Sequence, residues 1–77
     1  MLKIKDNVDL KKLEKYYFVR DYFIDEWVYY KEYKHYAYEE SLIVYEKDRE
    51  IQAKGIRLLD TLYDLIKADL VEKVDDK

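Results

Sequence analysis

His35 is the only histidine, Ser41 the only serine, and there is no cysteine. An imidazole can act as a general base, but it needs a nucleophile or a polarised substrate within hydrogen-bond reach. No Ser or Cys stands at a recognisable spacing from His35, so a solvated or ring-stacked histidine is the simpler account. Zinc takes three or four N and S ligands, more than one His can supply. Paired carboxylates occur at Asp25-Glu26, Glu39-Glu40 and Asp75-Asp76. Such pairs do acid–base work or hold a hard cation. Neighbours along a strand point to opposite faces, so the first two pairs read as solvated surface. The third lies at the end of the sequence, where fraying is expected. Gly55 is the only glycine, and one glycine cannot build a phosphate-cradling loop. These residues predict no catalytic group, no metal site and no cofactor. The expectation is a protein that is not an enzyme.

The unusual feature is aromatic. Tyr16, Tyr17, Tyr22, Tyr29, Tyr30, Tyr33, Tyr36, Tyr38 and Tyr45 are nine of the ten tyrosines, all within residues 16–45, and the only Trp is Trp27. Strand alternation over residues 27–38 would put Trp27, Tyr29, Tyr33 and His35 on one face and Tyr30, Tyr36 and Tyr38 on the other. A thin sheet covered on one side cannot bury both faces, so some rings are expected in solvent. Exposed Tyr and Trp suit recognition, giving large apolar area at low rotamer cost together with a polar tip. Tyr replacing Phe on half-buried strands is the blander alternative. Asp21, Asp25, Glu26, Glu32, Glu39, Glu40 and Glu46 interleave with the rings. An acidic aromatic face complements a basic groove, and its field would speed encounter with one. The expected contact residues are Trp27, Tyr29, Tyr30, Tyr33, Tyr36 and Tyr38, with the acids Asp25, Glu26, Glu32, Glu39 and Glu40.

The elements that must position these residues are legible in part. Leu10, Leu13 and Tyr17 follow the N-cap types Asn7 and Asp9, which predicts a short amphipathic helix over 9–16. The aromatic and β-branched run over 17–38 predicts two strands turning at Asp25-Glu26. Phe23, Trp27, Tyr30, Lys34 and Ala37 also step at helical spacing, so a helix remains the competing pattern. Leu42 to Tyr45 reads as a buried strand and Lys47-Asp48 as a turn. Glu50 to Lys54 alternates, with Ile51 and Ala53 facing inward, and Gly55 ends that strand. Asp60 is expected to cap a second helix carrying Leu62, Tyr63, Leu65 and Ile66. Leu70-Val71-Glu72 is expected to leave it as a short terminal strand. The fold class is α+β: a short N-terminal helix, an antiparallel sheet of three or four strands, and a C-terminal helix packed on one face.

With 77 residues and no Pro, the chain reads as a single small domain, 1–77. A chain this short buries only about 60% of its unfolded surface, which leaves little room for a deep cleft of ~300 Å³ or more. The absence of disulfides favours a reducing compartment. No apolar run approaches the ~20 residues of a membrane span, and no apolar leader segment opens the sequence. A reducing, cytoplasmic location is expected. The formal net charge is −3, distributed as +2 over residues 1–17 (five bases, three acids), −4 over 18–46 (three bases, seven acids) and −1 over 47–77 (seven bases, eight acids). The aromatic segment is therefore also the acidic one. Lys3, Lys5, Lys11, Lys12 and Lys15 make only a weak patch toward phosphate.

Three stretches carry a resemblance: Asp9-Leu10-Lys11-Lys12-Leu13-Glu14-Lys15-Tyr16, Tyr45-Glu46-Lys47-Asp48-Arg49-Glu50-Ile51, and residues 62–74 from Leu62 to Val74. Together they resemble short uncharacterised proteins of phages and prophages of low-GC Gram-positive bacteria. The resemblance implies a mobile-element setting and assigns a role to no residue. The expected function is a non-enzymatic protein-binding or inhibitor domain, of the phage counter-defence (anti-CRISPR) type, covering a basic site on a host nuclease or another basic nucleic-acid-binding protein. Two alternatives stay open: single-stranded nucleic-acid binding by base stacking, and self-association into a homodimer through exposed sheet edges.

Overall fold

The aromatic and β-branched run that dominates the middle of the chain forms sheet over most of its length. In the computed structural model, which describes residues 1–74 and Tyr38 by its backbone alone, the strands are β1 (Leu2–Ile4), β2 (Val19–Phe23), β3 (Glu26–His35), β4 (Tyr38–Tyr45), β5 (Ile51–Lys54) and β6 (Val71–Lys73). A 3-10 helix spans Leu10–Tyr16 and the α-helix α1 spans Leu59–Lys67. The antiparallel four-stranded sheet has the order β2-β3-β4-β5, and β1 pairs antiparallel with β6. The backbone N–H of Ile4 donates to Arg49 O at 2.9 Å, and Lys3 bridges to Glu50, so the small sheet continues from the start of β5. Arg49 (φ 66°) fixes this junction by donating to the carbonyls of Lys5 and Val8 at 2.8 and 2.6 Å. The expected Asp75-Asp76 pair lies outside the described residues.

One face of the large sheet is covered. Tyr29, Leu42 and Val44 pack there against Ile4, Leu13, Phe18, Leu65 and Leu70, with Leu58, just before α1, and Leu62 within it at the margin. Truncating one of the fully buried members, Leu13 or Leu65, to Ala is worth about 2–5 kcal/mol. Lys31 also points to the covered side, donating from Nζ to the buried Thr61 hydroxyl at 2.8 Å. Among the described residues, no helix or second layer lies over the opposite face.

The α+β class with antiparallel strands and a helix on one face is as expected, and so are two strands over most of 17–38 and a short last strand after α1. Several details differ. The N-terminal segment is not an α-helix and does not come first: β1 precedes it, and it winds as a 3-10 helix. Leu10, Leu13 and Tyr16, three residues apart, are its inward stripe, as a three-residue turn requires. Asp9 caps it, its carboxylate accepting from the Lys11 N–H at 3.0 Å. Tyr17, expected on that stripe, instead ends the helix in the left-handed region (φ 70°) and is exposed. The β2–β3 turn is Ile24-Asp25, one residue before Asp25-Glu26, with φ of 47° and 61°. Two positive φ values are what a two-residue hairpin of type I′ demands. Asp60 does not cap α1; it lies inside the first turn, and the N-cap Leu58 makes no side-chain bond. Ala53 is exposed, while Ile51 packs against the core.

Candidate functional site

Pairing register decides which side each ring takes. On the covered side, Arg20 and Tyr22 of β2 lie beside Tyr29 and Trp27 of β3. Tyr29 falls under the 3-10 helix and is 3% exposed. It belongs to the core, so it is not available as the contact residue expected from the sequence. Its hydroxyl proton is held above the ordinary tyrosine range, chiefly by burial, with the negative charge of Glu46 adding to the effect.

Trp27, one step closer to the turn, lies beyond the cover and is exposed. It meets Tyr22 edge-on, with ring centroids 5.1 Å apart and planes at 63°. Arg20 places its guanidinium 4.0 Å from the centroid of the same indole. Glu46, just past the end of β4, takes both an Nε and an Nη hydrogen bond from Arg20. This contact keeps Arg20 protonated above even its usual range. Tyr22, Asp25, Glu26, Trp27, Glu46 and Lys47 surround one open hollow. Phe23 and Ile24 are exposed beside it, so Val19, Tyr22, Phe23, Ile24 and Trp27 give this hairpin five exposed large apolar side chains. Asp21 guards its free edge: the carboxylate accepts from the Tyr22 N–H at 2.8 Å, occupying a donor that a foreign strand would need.

The uncovered side carries cross-strand rows: Val19–Tyr30–Ile43–Gln52, Asp21–Val28–Tyr45 and Glu32–Ser41–Lys54. Val28 is 3% exposed although no element covers it. Asp21, Phe23, Tyr30, Glu32 and Ile43 rise around it and leave a groove of about 220 Å³. Tyr45 donates from its hydroxyl to Gln52 Oε1 at 2.8 Å. Neither Asp21 nor Glu32 has an ion-pair partner among the described residues.

The expected contact residues therefore do not form one surface. Trp27, Asp25 and Glu26 gather at the hairpin tip. Tyr30, Glu32 and Glu39 belong to the uncovered side, where Glu39 lies opposite Lys34. Tyr36 sits in the β3–β4 turn, 96% exposed, not on a strand face with Tyr30, and its ring meets His35 edge-on at 5.5 Å. Tyr38 opens β4 opposite His35 in register, so the single strand over 27–38 from which its face was read is broken by the turn. Tyr33 is half-buried on the covered side with the Arg57 guanidinium 5.5 Å from its ring centroid. Glu40 is engaged within the chain: its carboxylate accepts from the Arg57 backbone N–H at 2.6 Å and folds against Gly55. Sequence reasoning missed Tyr22, Phe23 and Glu46 as members of the tip, and Val28 and Ile43 as groove floor. A turn placed at 24–25 would have paired Tyr22 with Trp27.

Among the described residues no three His, Cys, Asp or Glu side chains converge as a metal site would require. Likewise, no helix among them is long and apolar enough to cross a membrane. The N-terminal lysines are partly spoken for: Lys3 bonds Asp6 at 3.0 Å, and Lys5 bonds Asp69 at 2.7 Å. No protein-family model matches the chain, and no curated protein or solved structure matches it either.

Proposed function

We propose that this chain is a non-enzymatic protein-binding domain that presents the acidic, aromatic tip of its β2–β3 hairpin to a basic site on a partner protein. One observation carries the reading: Trp27 and Tyr22 stand exposed in edge contact, ringed by Asp25, Glu26 and Glu46. An exposed tryptophan–tyrosine pair is a typical energetic centre of an interface, and its acidic rim selects a basic partner and hastens encounter. A partner that normally contacts nucleic acid has that chemistry. In the mobile-element setting implied by the sequence resemblance, the fitting partner is a host nuclease, with this domain covering its basic site in the bacterial cytoplasm as a counter-defence inhibitor.

Capture from a bacterial host lysate tests the reading. Wild type, Tyr22→Ala/Trp27→Ala and Glu26→Lys are compared, with Tyr63→Ala on α1 as a surface control. A nucleic-acid-binding protein retained by wild type and by the control, but lost from the tip variants, is the expected result. Recovery of the same proteins by all four forms would count against it.

Self-association is the second reading with an observation of its own. Leu59, Tyr63 and Ile66 form an exposed stripe along α1, and Ile56 is exposed just before it. Sedimentation over a wide concentration range separates a dimer from a monomer. Base stacking has less support, because the exposed rings are rimmed by acids and Lys3 and Lys5 are ion-paired internally.

A further inference from the structure

The groove on the uncovered sheet face lies on the opposite side of β2–β3 from the Trp27 hollow. We infer that it is a second docking surface, and that its occupant is a basic amphipathic helix of a partner protein, seating one apolar side chain over Tyr30 and Ile43, between Asp21 and Glu32. The inference extends the binding reading to a different face and does not depend on the tip.

The floor sets the first requirement. Tyr30 and Ile43 are half-exposed, Val28 lies buried between them and Phe23, and no helix or strand among the described residues lies over this floor. A groove of about 220 Å³ admits one or two side chains, not a whole sheet face. The rim sets the second. Asp21 stands opposite Val28, and Glu32 lies four residues further along β3. At ~3.3 Å per strand residue and ~4.8 Å between strands, the two residues are about 14 Å apart along the backbone. On a helix, residues seven or eight positions apart are ~10.5–12 Å apart along the axis and on one side. A helix with Lys or Arg at such positions and an apolar residue midway matches floor and rim together. The reach of the long basic side chains makes up the remaining distance.

Other occupants fit less well. An extended strand laid over this face would press its own unpaired backbone groups onto an apolar floor, which is costly, whereas a helix satisfies its own. A second copy of the chain would bring acids toward acids, and a stable dimer needs about 800 Å² from each partner, far more than this groove offers. The bases on the same face stand apart from it. Lys34 is opposite Glu39, and Lys54 lies on β5 beyond Ser41.

The test uses the full chain and a synthetic amphipathic helix with leucines along one stripe and lysines about seven residues apart flanking them. Binding is followed by amide chemical shifts and by titration at low and high salt. The expected result is shifts centred on Val28, Tyr30 and Ile43, with affinity that falls as salt rises. Glu32→Lys should weaken binding by about fivefold or more, and Ile43→Lys by about tenfold or more. Circular dichroism establishes that each variant is folded, and Glu32, being exposed, is the substitution least able to disturb the fold. Trp27→Ala should leave peptide affinity unchanged, which separates this surface from the hairpin tip. Shifts centred on Trp27, unchanged affinity in Glu32→Lys, equal binding by a peptide with its leucines replaced by serines, or shifts at the groove on raising protein concentration alone would each overturn the assignment.

Discussion

Arg20 covers one side of Trp27, with its guanidinium 4.0 Å from the indole centroid, and the same guanidinium is held from behind by Glu46. The chain thus already places one cation against its exposed tryptophan and fixes it with a carboxylate. Replacing Arg20 with Ala should leave Trp27 more solvated and shift its fluorescence to the red. The reading is clean because Trp27 is the only tryptophan. In a double-mutant cycle, Arg20→Ala and Trp27→Ala should couple favourably, and the coupling should shrink with salt. Additive effects and unchanged emission would mean the contact is absent in solution.

The β2–β3 turn is strained at Ile24. A β-branched residue at φ 47° is a genuine outlier, and left-handed backbone costs an L-residue about 1–2 kcal/mol. Asn tolerates this region, so Ile24→Asn should stabilise the fold by about 1 kcal/mol, read as a higher urea midpoint at unchanged slope. Ile24 is also 78% exposed at the tip. The same substitution should weaken partner capture, the pattern expected where strain is kept for function.

Gly55 and Glu40 form a second constrained pair. Gly55 has φ +86°, and a Cβ there would fall 2.3 Å from the Glu40 side chain. Gly55→Ala should therefore cost about 1–2 kcal/mol from backbone conformation. It should also displace the Glu40 carboxylate from the Arg57 N–H, loosening the entry to α1. Thermal unfolding of Gly55→Ala beside Glu40→Gln checks both parts, since Glu40→Gln keeps an acceptor and should cost less.

Tyr29 sets an alkaline limit. Its folded pKa is raised, mainly by burial. Above the ordinary tyrosine value of about 10 the unfolded chain gives up this proton while the folded chain keeps it. The folded state then binds more protons, so stability falls as pH rises. The contribution is complete below about pH 10 and is lost progressively above it. Tyr29→Phe should flatten that decline, measured by urea unfolding across the alkaline range.

How much of this was legible follows from particular residues. The alternation Glu50 to Lys54 and the apolar Leu42 to Tyr45 marked β4 and β5, because period two with turn residues between has few other meanings. The turn at Ile24-Asp25 was displaced by one residue because it lacks the Gly or Asn that normally announces positive φ. β1 was not visible: Leu2, Lys3 and Ile4 are too few to show a period, and their pairing depends on β6, nearly seventy residues away. Residues 10–16 carried a three-residue stripe at Leu10, Leu13 and Tyr16, and reading Tyr17 for Tyr16 hid the 3-10 winding. For the site, exposed rings were foreseeable from their number. Their division was not, because whether Tyr29 is core and Trp27 surface depends on how far the 3-10 helix reaches over the sheet.

Strands β1 and β6 run antiparallel, and the N–H of Val74 donates to the Met1 carbonyl at 2.8 Å beyond their last pair. Both ends of the described chain thus emerge side by side. Tension applied between them meets the ladder like a zipper, loading one hydrogen bond at a time instead of all together. Pulling on the β1 end peels it from β6 and from Arg49 and Glu50 together, and draws Ile4 out of the core.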